Sequence, residues 1–312
     1  MIRRPITSTA QTDPASGFEP HRRHLLAVAY RFLGSVSDAE DIVQETYLRW
    51  AAAGAAGIRE PRGYLTRITA HLCLDQLKSA RVRRERYVGP WLPEPIVEAA
   101  GFSTGPADDR TDDISVALML ALERLSPLER AAFVLHDAFG QSFDEVAAAL
   151  DRTSSACRQL AARARKHLRT ARPRFAVPPG EGERLVEAFL RATQSGDLAG
   201  LTRLLTADAV LHSDSGGKVR SARRLILGAD RIARLFATLT RKYGPPHSAT
   251  PARINGLPGL LMLDYNNVTQ TLAFEIRDGA IATLYLIRNP DKLRHVRPPS
   301  NVLTHPTSSP AA

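Results

Sequence analysis

Two stretches of this chain cannot continue a helix or a strand, and they decide what it can fold into. Tyr87 to Asp113 carries four prolines among turn formers, and Pro173 to Gly182 has the same character over a shorter span. Proline lacks a backbone N–H and disfavours helix in the residue before it, so both stretches read as linkers. They leave three segments. In the first two, apolar residues recur at helical spacing, whereas in the third that spacing gives way to alternation. The expected fold class is multidomain: two all-α helical domains, the second with a helix-turn-helix, followed by an α+β domain. The expected boundaries are 18–86, 114–172 and 183–297, with linkers at 87–113 and 173–182. Residues 1–17 are expected to be disordered and 298–312 to form a flexible tail.

In the first segment Leu25, Leu26, Ala29, Phe32 and Leu33 make a helical stripe that stops at Gly34. Ser37, with Glu40 three residues on, reads as a capping box for the next helix. Ile42, Val43, Thr46, Tyr47 and Trp50 turn inward, which leaves Asp38, Glu40, Asp41, Gln44 and Glu45 on the other sides. Acid in the first turns suits the helix dipole, but here it continues further, as on a docking face for a basic partner. A small-residue loop, Ala51 to Glu60, contains Arg59 and leads to Pro61, which fits the first turn of a longer helix. That helix ends with Lys78, Arg81, Arg83, Arg84 and Arg86 against Glu85, five positive charges in nine residues. Such a cluster suits phosphate neutralisation.

The second segment opens a helix with Ser126 as cap and Pro127 at the first helical position, and Ser142 with Glu145 caps another. A turn at Asp151 and Arg152 leads into a last helix, and from Asp151 to Arg174 there are eight basic residues against one acidic. Two helices joined by a short turn, the second one basic, make a helix-turn-helix pattern. Its DNA-facing candidates are Thr153, Ser154, Ser155, Arg158 and Gln159 at the start of the second helix, with Arg163, Arg165 and Lys166 behind them. The formal charge of +10 across the chain agrees with a polyanionic partner. Cys73 and Cys157, the two cysteines, fall inside expected helices and read as buried thiols of a reducing compartment. His136 and His167 lie in expected helices without a ligand-spaced companion, and His71 lies two residues before Cys73 without facing it, so neither metal nor cofactor is expected. With no apolar run of about 18 residues and no signal-peptide pattern, a soluble cytoplasmic protein is expected.

The third segment begins with helices at Glu183–Thr193 and Asp197–Leu205, and a further helix at Ala229–Tyr243 carries Ile232, Leu235, Phe236 and Leu239 on one face. Strand-like runs follow, the last two joined by Asp278-Gly279, a strong hairpin signal. Within the first linker, prolines bracket Trp91 and Leu92 in the string WLPEP, Trp91 to Pro95, and an aromatic and a leucine on a stiff extended segment point to docking on another surface.

With these residues in place, the first 170 resemble an extracytoplasmic-function sigma factor of the sigma-70 family. YRFLGSVSDAEDIVQETYLRW is similar to the part of region 2 that docks on the clamp helices of core RNA polymerase. PRGYLTRITAHLCLDQLKSARVRRER is similar to the part that engages the −10 element, and ALERLSPLERAAFVLHDAFGQSFDEVAAALDRTSSACRQLAARARKHL resembles region 4, which reads the −35 element and docks on the polymerase flap. The resemblance therefore implies polymerase binding by Asp38, Glu40, Asp41, Gln44 and Glu45. It implies −10 contacts by Arg59 and the Lys78–Arg86 cluster, and −35 contacts by the helix-turn-helix candidates.

The third segment resembles the SnoaL-like, NTF2-type cone domain carried by one sigma subgroup. That subgroup has WLPEP between regions 2 and 4, a DGGGK string in the extension and an NPDKL ending. This chain has Asp214, Ser215, Gly216, Gly217 and Lys218, with Ser215 departing from the pattern, and NPDKL at Asn289 to Leu293. The resemblance implies that the extension modulates sigma activity from within the chain, with Trp91, Leu92, Pro93, Glu94 and Pro95 lying beside the Asp214–Lys218 loop. It also implies an internal pocket whose candidate polar residues are His212, Asp214, Asn255, Asp264, Tyr265 and Asn289. Asp264 and Tyr265 are adjacent, and on a regular strand they would point to opposite faces, which argues against an isomerase-like pairing. A ligand-sensing domain and a purely structural one both fit. The rival functions are a ligand-sensing helix-turn-helix regulator and a SnoaL-like isomerase or cyclase fused to DNA-binding helices. A free monomer is expected, because one sigma serves one polymerase.

Overall fold

The computed structural model describes residues 14–53, 58–85, 87–99, 115–169 and 180–297. These fall into two compact units. One draws on Met1–Leu33, Ser37–Lys78 and Ser126–Arg165, the other on Gly34–Val36, Ser79–Leu125 and Lys166–Ala312.

The first unit is helical. α1 (Pro14–Leu33), α2 (Val36–Ala53) and α3 (Pro61–Glu85) surround Phe18, Leu25, Val43, Trp50 and Leu65. Thr46 Oγ, buried between α2 and α3, donates to the Ile42 carbonyl at 2.8 Å and lies 3.1 Å from Thr69 Oγ. α1 starts earlier than expected: Pro14 to Gly17 are helical, because Phe18 belongs to the core and lies against Tyr47. α2 begins at Val36, so Ser37 lies inside the helix instead of capping it.

The helix-turn-helix segment shares this unit. α5 (Pro127–Phe133) and α6 (Phe143–Leu150) are each opened by a capping box, Ser126 with Glu129 and Ser142 with Glu145. A π-helical turn at Val134–Ala138 joins them, and Asp151, left-handed at φ 51°, ends α6 before α7 (Ser154–Leu168). The segments 18–86 and 114–172 are expected from the sequence to be separate domains, but most of the first (18–33 and 37–78) and 126–165 of the second pack together in this unit. Arg130, buried, donates to the Phe32 carbonyl at 2.6 Å, and burial lowers its pKa to about 10. Asp151 meets Arg67 at 3.0 Å and His71 at 3.4 Å.

The second unit is built on a seven-stranded sheet in the order β1-β4-β5-β6-β7-β2-β3. Its strands are β1 (Val97–Ala99), β2 (Leu205–Asp214), β3 (Ile226–Leu227), β4 (Ser248–Ile254), β5 (Leu257–Leu263), β6 (Thr269–Arg277) and β7 (Ala280–Ile287). β2 and β7 pair in parallel, and every other pair is antiparallel. Helices α8 (Glu181–Ser195), α9 (Leu198–Leu204) and α10 (Ala229–Tyr243) cover one face. Their core joins Val186, Phe189, Ile232 and Phe236 to Leu260, Met262, Leu272, Phe274 and Leu284 of the strands. The alternate residues Ile254, Ala273, Tyr285 and Ile287 bury the other face against Leu92, Val116, Leu293 and Val296. Period-2 alternation therefore runs through strands that are apolar on both sides.

What covers this second face corrects the sequence reading. Tyr87 to Ala99 was expected to be linker, yet it packs on the sheet, and β1 adds a strand with Val97 opposite Ile254. α4 (Val116–Leu122), assigned from the sequence to the helix-turn-helix domain, packs there too. The rest of the first expected linker, 100–113, lies outside the described residues, as do 114, 170–179 with most of the second expected linker, 1–13 of the expected disordered start, and the expected tail 298–312.

Candidate polymerase, DNA and linker-docking sites

On α2, Glu40, Asp41 and Gln44 are exposed, and Asp38 and Glu45 are half-buried. Gln76 donates to Asp38 at 3.3 Å, and Glu45 pairs with Arg49 at 2.9 Å. The same exposed face carries Leu48, which is 55% exposed. This apolar side chain stands in line with Asp41 and Gln44, at a spacing of three and four residues that is legible in the sequence although charge alone does not mark it. Arg59 is exposed. Of the other −10 candidates, Arg86 and the side chains of Lys78, Arg81, Arg83 and Arg84 lie outside the described residues, as do loop residues 54–57.

α7 buries Cys157, Leu160, Ala161, Ala164 and Leu168, a stripe at helical spacing. Thr153, Ser155, Arg158, Gln159, Arg163, Arg165 and Lys166 are exposed, and Ser154 is half-buried. Thr153 caps the helix by accepting from the Ala156 N–H at 3.2 Å, and Ser154 donates to Asp144. Arg163 pairs with Glu129 at 3.3 Å and Arg165 with Asp137 at 2.7 Å, while the Arg158 guanidinium lies 5.5 Å from the centre of the Phe143 ring. Arg158 and Gln159 are thus the long polar side chains at the start of α7, where a helix-turn-helix presents base-reading groups.

The second unit brings the WLPEP string and the Asp214–Lys218 loop together around one carboxylate. Asp214 ends β2 fully buried. Its carboxylate accepts from the Tyr87 hydroxyl at 2.5 Å, the Leu92 N–H at 2.7 Å, the Gly216 N–H at 3.1 Å and the Lys292 ammonium at 2.8 Å. Its carbonyl accepts from the Arg288 and Asn289 N–H groups at 2.7 and 3.1 Å. Lys292, also buried, donates to the Leu92 carbonyl and sits 4.3 Å from the Trp91 ring centre and 4.8 Å from that of Tyr87. A buried charge pair whose carboxylate accepts four hydrogen bonds is the arrangement that offsets desolvation. Asn289 donates to the Tyr87 hydroxyl at 2.8 Å. Burial, and then the bond to Asp214, push the Tyr87 pKa up.

Glycine is required in this loop by position. Gly216 has φ 57°, and a Cβ there would lie 2.5 Å from Asn289 Nδ2; Gly217 has φ 74°, with Val88 at 3.1 Å. Ser215 is not among the described residues of positive φ, which is why a side chain is accommodated where the subgroup has its first glycine. Lys218 pairs with Asp291, so the cation on Asp214 comes from Lys292 of NPDKL. Pro93 and Pro95 are buried, and His295 meets the Pro95 carbonyl at 2.8 Å. Glu94 accepts from Ser35 Oγ at 2.9 Å and from the Val36 N–H, the first of α2, at 2.8 Å. It thereby supplies the cap that Ser37 was expected to give.

A cavity of about 70 Å³ opens between the sheet and its helices, lined by Phe189, Phe236, Leu239, Met262, Asp264 and Arg288 among others. Of the six candidate polar residues, Asp264 and Tyr265 line it together. The opposite-face expectation fails because β5 ends at Leu263 and both residues lie beyond the regular strand. Asp264 is taken up by the Asn266 and Val268 N–H groups at 2.8 and 2.9 Å and by Arg288, so it is no free base. Asp214, Asn255 and Asn289 serve the docked segment instead, Asn255 by exchanging bonds with Ile96. His212 lies beside Tyr285, whose side chain belongs to the face away from the cavity. Among the described residues no cluster of three His, Cys, Asp or Glu could hold a metal, and no helix is long and apolar enough to cross a membrane.

Two stretches of the chain match known protein families. Residues 18–83 match the sigma-70 region 2 family and residues 115–168 match sigma-70 region 4. The chain is 41% identical over 292 residues to the ECF RNA polymerase sigma factor SigJ of Mycobacterium tuberculosis, covering 89% of this chain and 92% of that one. It is 34% identical over 297 residues to a probable ECF RNA polymerase sigma factor, SigI, of the same organism, covering 92% and 98%. The crystal structure of SigJ aligns with a TM-score of 0.71 at 36% identity, over 90% of this chain and 98% of that one. These likenesses extend through the sheet unit as well as the helices, and the chain belongs to the extracytoplasmic-function sigma factors of the sigma-70 family, which direct promoter-specific initiation of transcription.

Proposed function

We propose that this sigma factor binds core RNA polymerase through the exposed face of α2 and promoter DNA through α3 and α7, and that its sheet unit controls these activities in cis. In this reading Glu40, Asp41, Gln44 and Leu48 meet a basic and partly apolar surface of the clamp helices, with Asp38 and Glu45 flanking. Arg158 and Gln159 reach −35 base edges, with Thr153, Ser155, Arg163, Arg165 and Lys166 on phosphates. Arg59 and the cluster from Lys78 to Arg86 neutralise phosphates around the −10 element. Such a protein works in the cytoplasm as one copy per polymerase.

The observation that carries the cis control is the buried Asp214 carboxylate, bound at once by Tyr87, the Leu92 N–H and Lys292. Regions 2 and 4 flank this segment, which is fastened to the sheet by charge-assisted bonds. The test is run-off transcription with purified core polymerase on the gene's own upstream region, comparing the full chain with one ending near Pro179. Specific initiation that differs between the two supports the reading. Failure of both to bind core polymerase contradicts the sigma assignment of sites, and equal output from both contradicts cis control.

A further inference from the structure

The cavity wall has two ends of different character. Phe189, Leu190, Phe236, Leu239, Leu260 and Met262 make most of it apolar, and Asp264, Tyr265, Gln270 and Arg288 form one polar end. Asp264 and Arg288 neutralise each other there. A carboxylate entering would face Asp264 and an ammonium would face Arg288, so the end favours an uncharged group that donates to one and accepts from the other. Thr193 Oγ and Arg288 Nε, both buried and on residues of the wall, have no hydrogen-bond partner among the described residues. Unpaired buried polar groups in such a wall call for a partner.

Arg288 belongs to more than the cavity. Its guanidinium donates to Asp264 and, at 2.6 Å, to the Arg220 carbonyl, while its own N–H donates to the Asp214 carbonyl at 2.7 Å. The next residue, Asn289, holds the Tyr87 hydroxyl. Two consecutive residues therefore carry the polar end of the cavity on one side of the sheet and the docked segment on the other.

We propose that the cavity takes a small uncharged alicyclic or aromatic molecule bearing one hydroxyl or carbonyl, and that its occupancy strengthens docking of the Tyr87–Pro95 segment through Arg288. An occupant that fixes Arg288 fixes the Asp214 carbonyl, and with it the carboxylate that receives Tyr87 and Leu92. By linkage, docking of the segment tightens binding in the cavity by the same factor. The consequence for transcription rests on the cis control proposed above, but the binding and its coupling can be read without polymerase, so the two can fail separately.

The test uses the full chain with cyclohexanol as probe and cyclohexanecarboxylate as its charged counterpart. Calorimetry should show saturable cyclohexanol binding, at least several-fold weaker carboxylate binding, and loss of the cyclohexanol site in Leu239→Phe. Exchange of the Leu92 amide hydrogen should slow by up to about tenfold at ten times the dissociation constant. In Arg288→Lys the ammonium can meet Asp264 but not bridge to Arg220 as well, so cyclohexanol should bind while the slowing is lost. Should that variant fail to fold, Tyr87→Phe, which leaves the cavity wall intact, should weaken cyclohexanol binding several-fold. Absence of saturable binding, binding unaffected by Leu239→Phe, or unchanged exchange at Leu92 on saturation would each overturn the proposal.

Discussion

Lys292 and Tyr87 show how single side chains hold the linker segment to the sheet. Lys292→Met keeps the length of the side chain and leaves Asp214 buried without its cation, a change that costs on the order of 3–5 kcal/mol when a buried pair loses one partner. Denaturant unfolding should show that loss in the sheet unit, with part of it recovered when Asp214→Asn is added. Tyr87 makes a pH-dependent contribution whose sign can be worked out. Its folded pKa lies above the ordinary tyrosine value of 10.0, so near pH 10 and above the native state keeps a proton that the unfolded chain releases. The associated stability is complete below that pH and declines as pH rises beyond it. Tyr87→Phe should flatten this alkaline decline, leaving the part due to other groups whose pKa burial raises, among them Cys73, Tyr265 and Tyr285; unfolding of both proteins at pH 8 and above pH 10 measures the difference. Lys292 could not be selected from the sequence, since nothing local marks a lysine as buried. Its string was recognised, but its target, 78 residues earlier, exists only in the fold.

Helices α2 and α7 were legible because their buried stripes repeat at helical spacing, and the caps at Ser126 and Ser142 follow from local chemistry alone. The cap of α2 was not, because Glu94 is supplied by a segment 58 residues away. On α2, Asp41→Lys with Leu48→Ala should weaken core polymerase binding at least tenfold in a fluorescence titration and leave the melting temperature nearly unchanged, since neither side chain is buried. On α7, Arg158→Ala should cost about 1–3 kcal/mol of specific promoter affinity and relax preference at one position, whereas Lys166→Ala should weaken all sequences alike and lower the salt slope by about one. Competition binding at two salt concentrations separates these outcomes. The strands were legible from alternation and from the Asp278-Gly279 turn. The departure of Asp264 and Tyr265 from strand geometry was not, because the end of β5 is set by the turn that Asp264 closes onto the Val268 N–H.

Across the whole chain, sequence order and spatial order differ. Proline content made Tyr87–Asp113 look like a spacer, yet its first part forms an edge strand and the cover of a sheet face. An apolar face on both sides of β6 and β7 was the signal that something must cover each, and pairing a cover with a face is a long-range decision that periodicity does not carry. Leu92 is fully buried on that face, and Trp91 stacks against Lys292 beside it. If this docking sets transcriptional output, run-off transcription by purified core polymerase with wild type, Leu92→Asp, Trp91→Ala and Lys218→Ala will reveal it. Output should change in Leu92→Asp and Trp91→Ala and change less in Lys218→Ala, whose pair with Asp291 is half-exposed, with α7 binding to duplex −35 DNA unchanged in all. Output equal to wild type from Leu92→Asp and Trp91→Ala, with the segment shown to be undocked by exchange at residue 94, would contradict it.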